Sequence, residues 1–409
     1  MYLQLAWRNI WRNPRRTAVI LAAVIIGVWS MILIGALMRG IAVGMVKNGI
    51  ATLTGHIQIH HKGYRDDPAI ENSLTGFQME TIKKALSQSL PTGAQWTSRV
   101  RVNAIANNAR HSSGVTMVGI DPQAEAKVSF IGTAISEGHY LSSKDFNGIL
   151  VGQALMEKFE TKIGRKLVLM SQDKNQEIAS RAFRIVGVFR AEMESTEKHY
   201  VFIHQSASQK MLKLGNGISE ISILLTDGFN NLTAYEDLKS ALPSETFEVH
   251  NWSELLPFQT AYLRILDGFM WFWFLVVFVA MGFGIVNTTL MAVFERMREF
   301  GLMKALGMKP WWILREVLVE SCLLLVCGII VGNSLGFLSV YALSGNGIDL
   351  SALAAGAEYA GMTRIIYPAV AIKDVVVANS TVLLLGLIVS LYPAIKASRF
   401  TPVEALAHT

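Results

Sequence analysis

The stretch GFMWFWFLVVFVAMGFGIVNTTLMAVF, residues 268–294, contains no Asp, Glu, Lys, Arg or His. A helix needs about 20 apolar residues to cross the hydrocarbon core of a bilayer, so an uncharged run of this length reads as a span. Thr17–Met38, Ser321–Ile348 and Val375–Ile395 pass the same test. Each must be helical, because a helix pairs its own backbone groups where no water can. The composition agrees: 51% of the 409 residues are hydrophobic and 17% charged, too apolar and too charge-poor for an ordinary soluble domain. The rest of the chain is too polar to span.

Basic residues in short loops mark the cytoplasmic side. Arg8, Arg12, Arg15 and Arg16 precede the first run; Arg296, Arg298, Lys304, Lys309 and Arg315 lie between the second and third; Lys396 and Arg399 follow the fourth. The short loop between runs three and four offers only Arg364 and Lys373. Both termini are therefore expected in the cytoplasm, with residues 39–267 outside as one large domain. Trp7, Trp11, Trp311 and Trp312 fall at cytoplasmic boundaries and Trp271 and Trp273 at an outer one, where amphipathic rings settle. The net charge of +6 is placed as membrane insertion places it, which argues against a nucleic-acid partner. Cys322 and Cys327 share one apolar run, so the soluble part has neither disulfide nor thiolate zinc site. The first run exceeds the roughly 7–15 residues of a signal-peptide core and lacks a small-residue cleavage site after it, so it is expected to remain as a helix.

Residues 1–16 put Leu3, Trp7, Ile10 and Trp11 on one helical face and Gln4, Arg8, Arg12 and Arg15 on the others, which suits an interfacial amphipathic helix or a simple charged anchor. Gly328, Gly332 and Gly336 recur every four residues in run three, and run one continues through Ala36, Gly40 and Gly44. Such stripes let two helices approach closely, within one chain or between two. Glu316 and Glu320, one turn apart near the start of run three, sit close to the interface beside Arg315. A proton relay is the weaker reading there, since no other span carries an acidic partner.

Between runs two and three stands Glu295-Arg-Met-Arg-Glu-Phe-Gly-Leu-Met-Lys-Ala-Leu-Gly307, then Met308, Lys309 and Pro310. Leu302, Ala305 and Leu306 form an apolar stripe, and Gly307 with Pro310 is a helix stop. A plain connector needs no such design, so a docking helix for a cytoplasmic partner is the sharper reading.

The expected organisation is an interfacial helix over 1–16, a first span with its outer extension over 17–48, and an extracytoplasmic α+β domain over 49–262. A second span covers 263–294, the docking helix 295–310, a third span 311–348, a short outer loop 349–373, a fourth span 374–396 and a tail 397–409. Within the domain, strands are expected at Gly55–His61, Val115–Ile120, Lys166–Met170, Arg184–Phe189, His199–Ile203 and Glu220–Leu225, and helices at Met79–Ser89, Ala154–Phe159 and Leu232–Leu242. His56 and His60 share a strand face but lie about 13 Å apart by the rise per residue, too far for one metal ion, so they read as surface polar residues. Glu192–Lys198 reads as a solvated acidic loop or a partner-facing tip. No phosphate-cradling Gly-x-x-x-x-Gly-Lys-Ser/Thr loop occurs in the sequence.

The 296–307 stretch resembles the signature of the FtsX/MacB-type (type VII) ABC transporter permeases, which runs through Glu-Phe/Ile-Gly to Lys/Arg-Ala-Leu-Gly. Tyr392-Pro-Ala-Ile-Lys-Ala-Ser-Arg-Phe-Thr-Pro-Val-Glu-Ala-Leu406 and Ala6-Trp-Arg-Asn-Ile-Trp-Arg-Asn-Pro-Arg-Arg16 look like the family's two ends. Gly55–His60, Val118–Pro122, Ile149–Gly152 and Phe183–Phe189 are family-like phrases of the outer domain, and among family members the chain is similar to the LolC/LolE lipoprotein-releasing permeases.

The resemblance implies a four-helix membrane protein with a MacB-like periplasmic domain between helices one and two, in the bacterial inner membrane. It implies a non-catalytic subunit that binds no cofactor itself, ATP and Mg being held by a dimeric ABC ATPase on a separate chain. Glu295, Arg296, Arg298, Glu299, Phe300, Gly301, Lys304, Ala305, Leu306 and Gly307 would couple to that ATPase. A second permease chain, identical or paralogous, and a periplasmic lipoprotein, carrier or adaptor are the other implied partners. Lipidated cargo would enter between helices one and two, near Met38, Phe269, Met270 and Phe272. A mechanotransmission subunit of a tripartite exporter, or of a cell-wall-hydrolase regulator, is the alternative.

Overall fold

A computed structural model describes residues 7–8, 12–68, 70–226, 232–349 and 365–400. Leu3, Gln4, Ile10 and Trp11 of the expected interfacial helix, Arg364, and Thr401–Leu406 of the tail lie outside the described residues. Among the described residues, four helices are long and apolar enough to cross a membrane. Two compact units form, one from the chain up to Val43, Tyr262–Asp349 and the chain from Ile365, the other around Gly44–Ala261.

The chain enters as α1 (Pro14–Gly49), which ends in a π-helical turn over Ile50–Thr54. The second unit follows as β1 (Ile57–His61), α2 (Gly76–Ser89), β2 (Gln95–Asn107), β3 (Ser112–Ile120), α3 (Pro122–Val128), β4 (Ile135–Gly138), β5 (Gly148–Gly152) and α4 (Gln153–Lys158). It continues with β6 (Lys166–Gln172), β7 (Ile178–Phe189), α5 (Glu194–His199), β8 (Tyr200–His204), α6 (Gln205–Met211), β9 (Glu220–Leu224), α7 (Leu232–Ala241), β10 (Phe247–Asn251) and α8 (Trp252–Leu255). Then come α9 (Pro257–Glu295), α10 (Met297–Ala305), α11 (Pro310–Asn346), the short pair β11 (Ile348–Asp349) and β12 (Ile365–Ile366), and α12 (Ile372–Arg399).

The ten strands β1–β10 make one mixed sheet in the order β10-β1-β9-β2-β3-β8-β5-β7-β4, with β6 joining β2 to β7. Only β3–β8 and β5–β7 run parallel among the described pairings. Side chains alternate across a strand, so Ile57 and Ile59, Val100 and Val102, Ile221 and Ile223, and Val201 and Ile203 gather on one face. There they meet Ile82 and Leu86 of α2 and Leu238 of α7. The opposite face is apolar at one end, where Val118, Ile120, Leu150, Phe189 and Phe202 pack together. Fully burying such a side chain contributes about 1.5–3 kcal/mol.

The other end of that face is polar and still buried. Arg99 is inaccessible and holds Glu125 of α3 through two hydrogen bonds of 2.9 and 2.8 Å and Glu220 of β9 at 3.2 Å. Burial alone would push the Glu220 carboxyl up; the Arg101 and Arg99 guanidinia outweigh it and hold it below the usual range. Removing one partner of such a set leaves an uncompensated charge, the costly event at a buried ion pair.

His56 and His60 are not surface residues: both are buried, because β1 lies between β10 and β9 rather than at an edge. The His60 ring stacks on Tyr64 at 5.0 Å between centroids. Nor does Glu192–Lys198 form only a loop. Its second half is α5, and Glu197 turns inward to accept hydrogen bonds from the Ala154 and Ala191 backbone N–H groups at 3.2 and 3.0 Å.

Burial holds the His60 imidazole down at about 4, whereas an unfolded chain takes up that proton near pH 6.5. The stability His60 contributes is therefore complete above pH 6.5 and lost as pH falls from 6.5 towards 4, at about 1.4 kcal/mol per pH unit for one proton. Thermal melting of the full chain in detergent should show this decline, and His60→Gln should flatten the curve over that window alone.

Candidate coupling site and the ion pairs that hold it

The site begins where α9 stops. Arg296 breaks the helix with φ −96 and ψ 10, and α10 restarts at Met297. Gly307 then adopts φ +92, a left-handed conformation that glycine takes without steric penalty, and Pro310 opens α11. The result is a short helix set between two spans.

Its two faces have different tasks. Met297, Phe300 and Gly301 are buried, and Phe300 packs with Val293, Ile313, Val317, Ala394 and Ala397. Arg298, Leu302, Ala305, Leu306 and Gly307 are exposed, with Leu302 at 55% and Leu306 at 80%. Leu302 and, one residue past the helix end, Leu306 are thus left uncovered while the other face of the helix is packed.

The charged residues assigned to coupling mostly serve internal contacts. The Arg296 guanidinium reaches Glu316 at 2.9 Å, Glu320 at 3.0 Å and Glu299 at 3.3 Å. Arg12 pairs with Glu299 and Arg16 with Glu295. Lys304 Nζ donates to the carbonyls of Ser398 and Phe400 at 2.5 and 2.7 Å, capping the C-terminal end of α12 with a cation. The α10 segment is thereby tied to α1, α11 and α12. Glu316 and Glu320, considered above as a proton relay, share Arg296 instead.

The glycine stripe of α11 faces α1 of the same chain. A Cβ at Gly328 would lie 2.5 Å from Val24 Cγ1, at Gly332 2.8 Å from Val28 Cβ, and at Gly336 2.9 Å from Ile32 Cγ2. Gly40 differs: its Cβ would meet the Tyr367 carbonyl oxygen at 2.3 Å, so the backbone leading into α12 lies there rather than a helix. Gly44 is partly exposed.

The suggested cargo residues separate. Met270 is 3% exposed and lies on the stripe Leu266, Phe274, Phe278 that packs into the bundle, its methyl 3.0 Å from a Cβ built at Gly35. In this chain it packs into the bundle and does not line an open cavity, because four-residue steps along α9 keep it on the inward face. Phe269 and Phe272 are exposed, at 49% and 58%, and Met38 is partly buried.

One cluster escaped the reading of the sequence altogether. Arg39 of α1 donates to Asp374 of α12 at 2.8 and 3.0 Å and to Asp267 of α9 at 2.9 Å, while Lys373 reaches the second Asp267 oxygen at 2.7 Å. Three helices meet at one guanidinium. The signal was present, since three of the apolar runs are bounded on this side by Arg39, Asp267 and Asp374, and charges of opposite sign there invite pairing.

A family model described as the MacB-like periplasmic core domain matches residues 17–241, over half of the chain, and one described as the FtsX-like permease C-terminal matches residues 271–402. The chain belongs to the FtsX/MacB-type permeases. It is therefore a permease subunit of an ABC transporter, with four membrane helices, a MacB-like periplasmic α+β domain between the first two, and an ABC ATPase as its partner. Among its relatives, "Lipoprotein-releasing system transmembrane protein LolC" of Neisseria meningitidis is 22% identical over 96% of this chain and 94% of that protein. "Macrolide export ATP-binding/permease protein MacB" of Escherichia coli K12 is 23% identical over 99% of this chain and 60% of that protein. The crystallised periplasmic region of MacB from Actinobacillus actinomycetemcomitans aligns with 52% of this permease and 95% of that chain, at 16% identity and a TM-score of 0.37.

Gly332→Leu should drive α1 and α11 apart and destabilise the permease by about 1–3 kcal/mol, the usual cost of overpacking, readable as earlier unfolding in a dodecyl sulfate titration. Arg39→Met should lower the melting midpoint clearly more than Lys373→Met, because Arg39 and Asp374 are 17% and 13% accessible while Lys373 is 69% accessible. Exposed ion pairs contribute little.

Proposed function

We propose that this permease couples ATP hydrolysis on a separate ATPase chain to the release of lipidated protein cargo on the far side of the bacterial inner membrane. The chain binds no nucleotide of its own in this reading; ATP and Mg sit on a dimeric partner. Both termini and α10 face the cytoplasm, as the arginine placement around the spans favours. A second permease chain, identical or paralogous, completes the transporter, and a periplasmic carrier or adaptor takes the cargo. The observation that carries the coupling role is the exposed Leu302–Leu306 face of α10, backed by a fully engaged inner face. The cargo class rests on the end-to-end alignment with LolC, which spans 94% of that protein.

Leu302→Glu with Leu306→Glu should abolish co-purification of the ATPase from native membranes and reduce transport-linked ATP hydrolysis at least tenfold, while the melting midpoint stays within about 2 °C because both side chains already face outward. Retained co-purification would remove α10 as the docking element. Purified lipoprotein added to the reconstituted complex should raise ATP turnover, and Phe272→Asp should blunt that response. If a macrolide or a periplasmic adaptor stimulates turnover and lipoprotein does not, the export reading suggested by the MacB alignment replaces lipoprotein release.

A further inference from the structure

A cavity of about 460 Å3 opens in the periplasmic domain, walled by the last turns of α1, the π-helical turn, β1, β2, α5, β8 and the start of α9. Its size is that of a small-molecule site. The two sides differ. Met45, Leu255, Leu256 and Phe258 supply an apolar side; Asn48, Thr52, Gln58, Ser195 and Tyr200 supply amide and hydroxyl groups. Arg101 is the one Lys or Arg among the described lining residues, which include no Asp or Glu.

Arg101 is held ready from behind. Its Nη2 donates to Tyr200 Oη at 3.2 Å, and its Nη1 lies 3.7 Å from Glu220 Oε2. Glu220 is 1% accessible whereas the Arg101 side chain keeps 33%, so a ligand meets the guanidinium and not its counter-charge. A planar, partly accessible guanidinium matches a carboxylate or phosphate. The wall opposite is unusual backbone: the Gly55 N–H closes a five-residue step onto Ile50 O at 2.9 Å, and Thr52 Oγ1 donates to Asn48 O at 2.7 Å. Single π-helical turns are frequent at functional sites. Gly55 itself, at φ +67, has no space for a Cβ, which would lie 2.5 Å from Ser222 Oγ.

We propose that this cavity binds an anionic amphiphile, with a phosphate or carboxylate head against Arg101 and a short apolar part against Leu255, Leu256 and Phe258. The site goes beyond the coupling role and does not depend on it, since binding needs neither ATPase nor cargo protein.

Titration of the full chain in a neutral detergent tests it by calorimetry with three probes: dihexanoyl phosphatidylglycerol, dihexanoyl phosphatidylcholine and inorganic phosphate. The anionic lipid should bind at one site at least tenfold tighter than the zwitterionic one. Inorganic phosphate should bind more weakly and compete with it. Arg101→Gln should weaken the anionic lipid at least tenfold, and Arg101→Lys should restore part of the loss. Because Arg101 also faces Glu220, Ser195→Trp provides an independent check: it fills the mouth of the cavity from an exposed position on α5 and should reduce affinity equally without changing the melting midpoint. Equal affinity for the two lipids, phosphate binding as tightly as the lipid, or wild-type binding by Ser195→Trp would each overturn the proposal.

Discussion

Lipid gives two helices no hydrophobic reason to associate, so a membrane bundle depends on how closely its backbones can approach. In this permease that approach is made by α1 against α11, where three glycines at four-residue spacing receive Val24, Val28 and Ile32. Gly386 of α12 repeats the device against Leu325 of α11, and α9 contributes the aromatic and methionine stripe that closes the other flank of α1. Dispersion between well-fitted surfaces is small per atom pair and large in sum, so a single added methyl at the stripe displaces a helix rather than a side chain.

At each end of this packed region charge takes over from shape. Arg39 joins α1, α9 and α12; Arg296 joins α10 to α11, with Arg12 and Arg16 bringing in the start of α1. The Arg39 and Arg296 guanidinia each serve two or more carboxylates, a use for which the fork of donors is suited and a lysine ammonium is not. The periplasmic domain follows the same rule in a different setting. Arg99 is fully buried and bridges a strand and a helix through Glu220 and Glu125.

The spans, the intervening helix and the α+β character of the domain were legible because each follows from local pattern: uncharged runs, a glycine–proline stop, alternation in β1, β3, β6, β7, β8 and β9. The long strand β2 was harder to see. Its sequence QWTSRVRVNAIAN alternates, yet the arginines on one face suggest solvent, and only the arrival of α3 and β9 buries Arg99. His56 and His60 misled for the same reason, since alternation tells which residues share a face and not what covers it. At the candidate coupling site the exposed leucines could be read from the helical stripe, whereas the inward engagement of Arg296 and Lys304 depends on residues 24 and 96 positions away. Partners that distant leave no periodic trace.

The ammonium of Lys304, seated on the last carbonyls of α12, gives the short helix an anchorage opposite its leucine face. Under the proposed coupling role, a force applied at Leu302 and Leu306 would reach the ends of three spans through these ties, and not only through the break at Arg296. Such a part behaves less like a flexible finger than like a doorknob, whose turning is felt by the frame behind it.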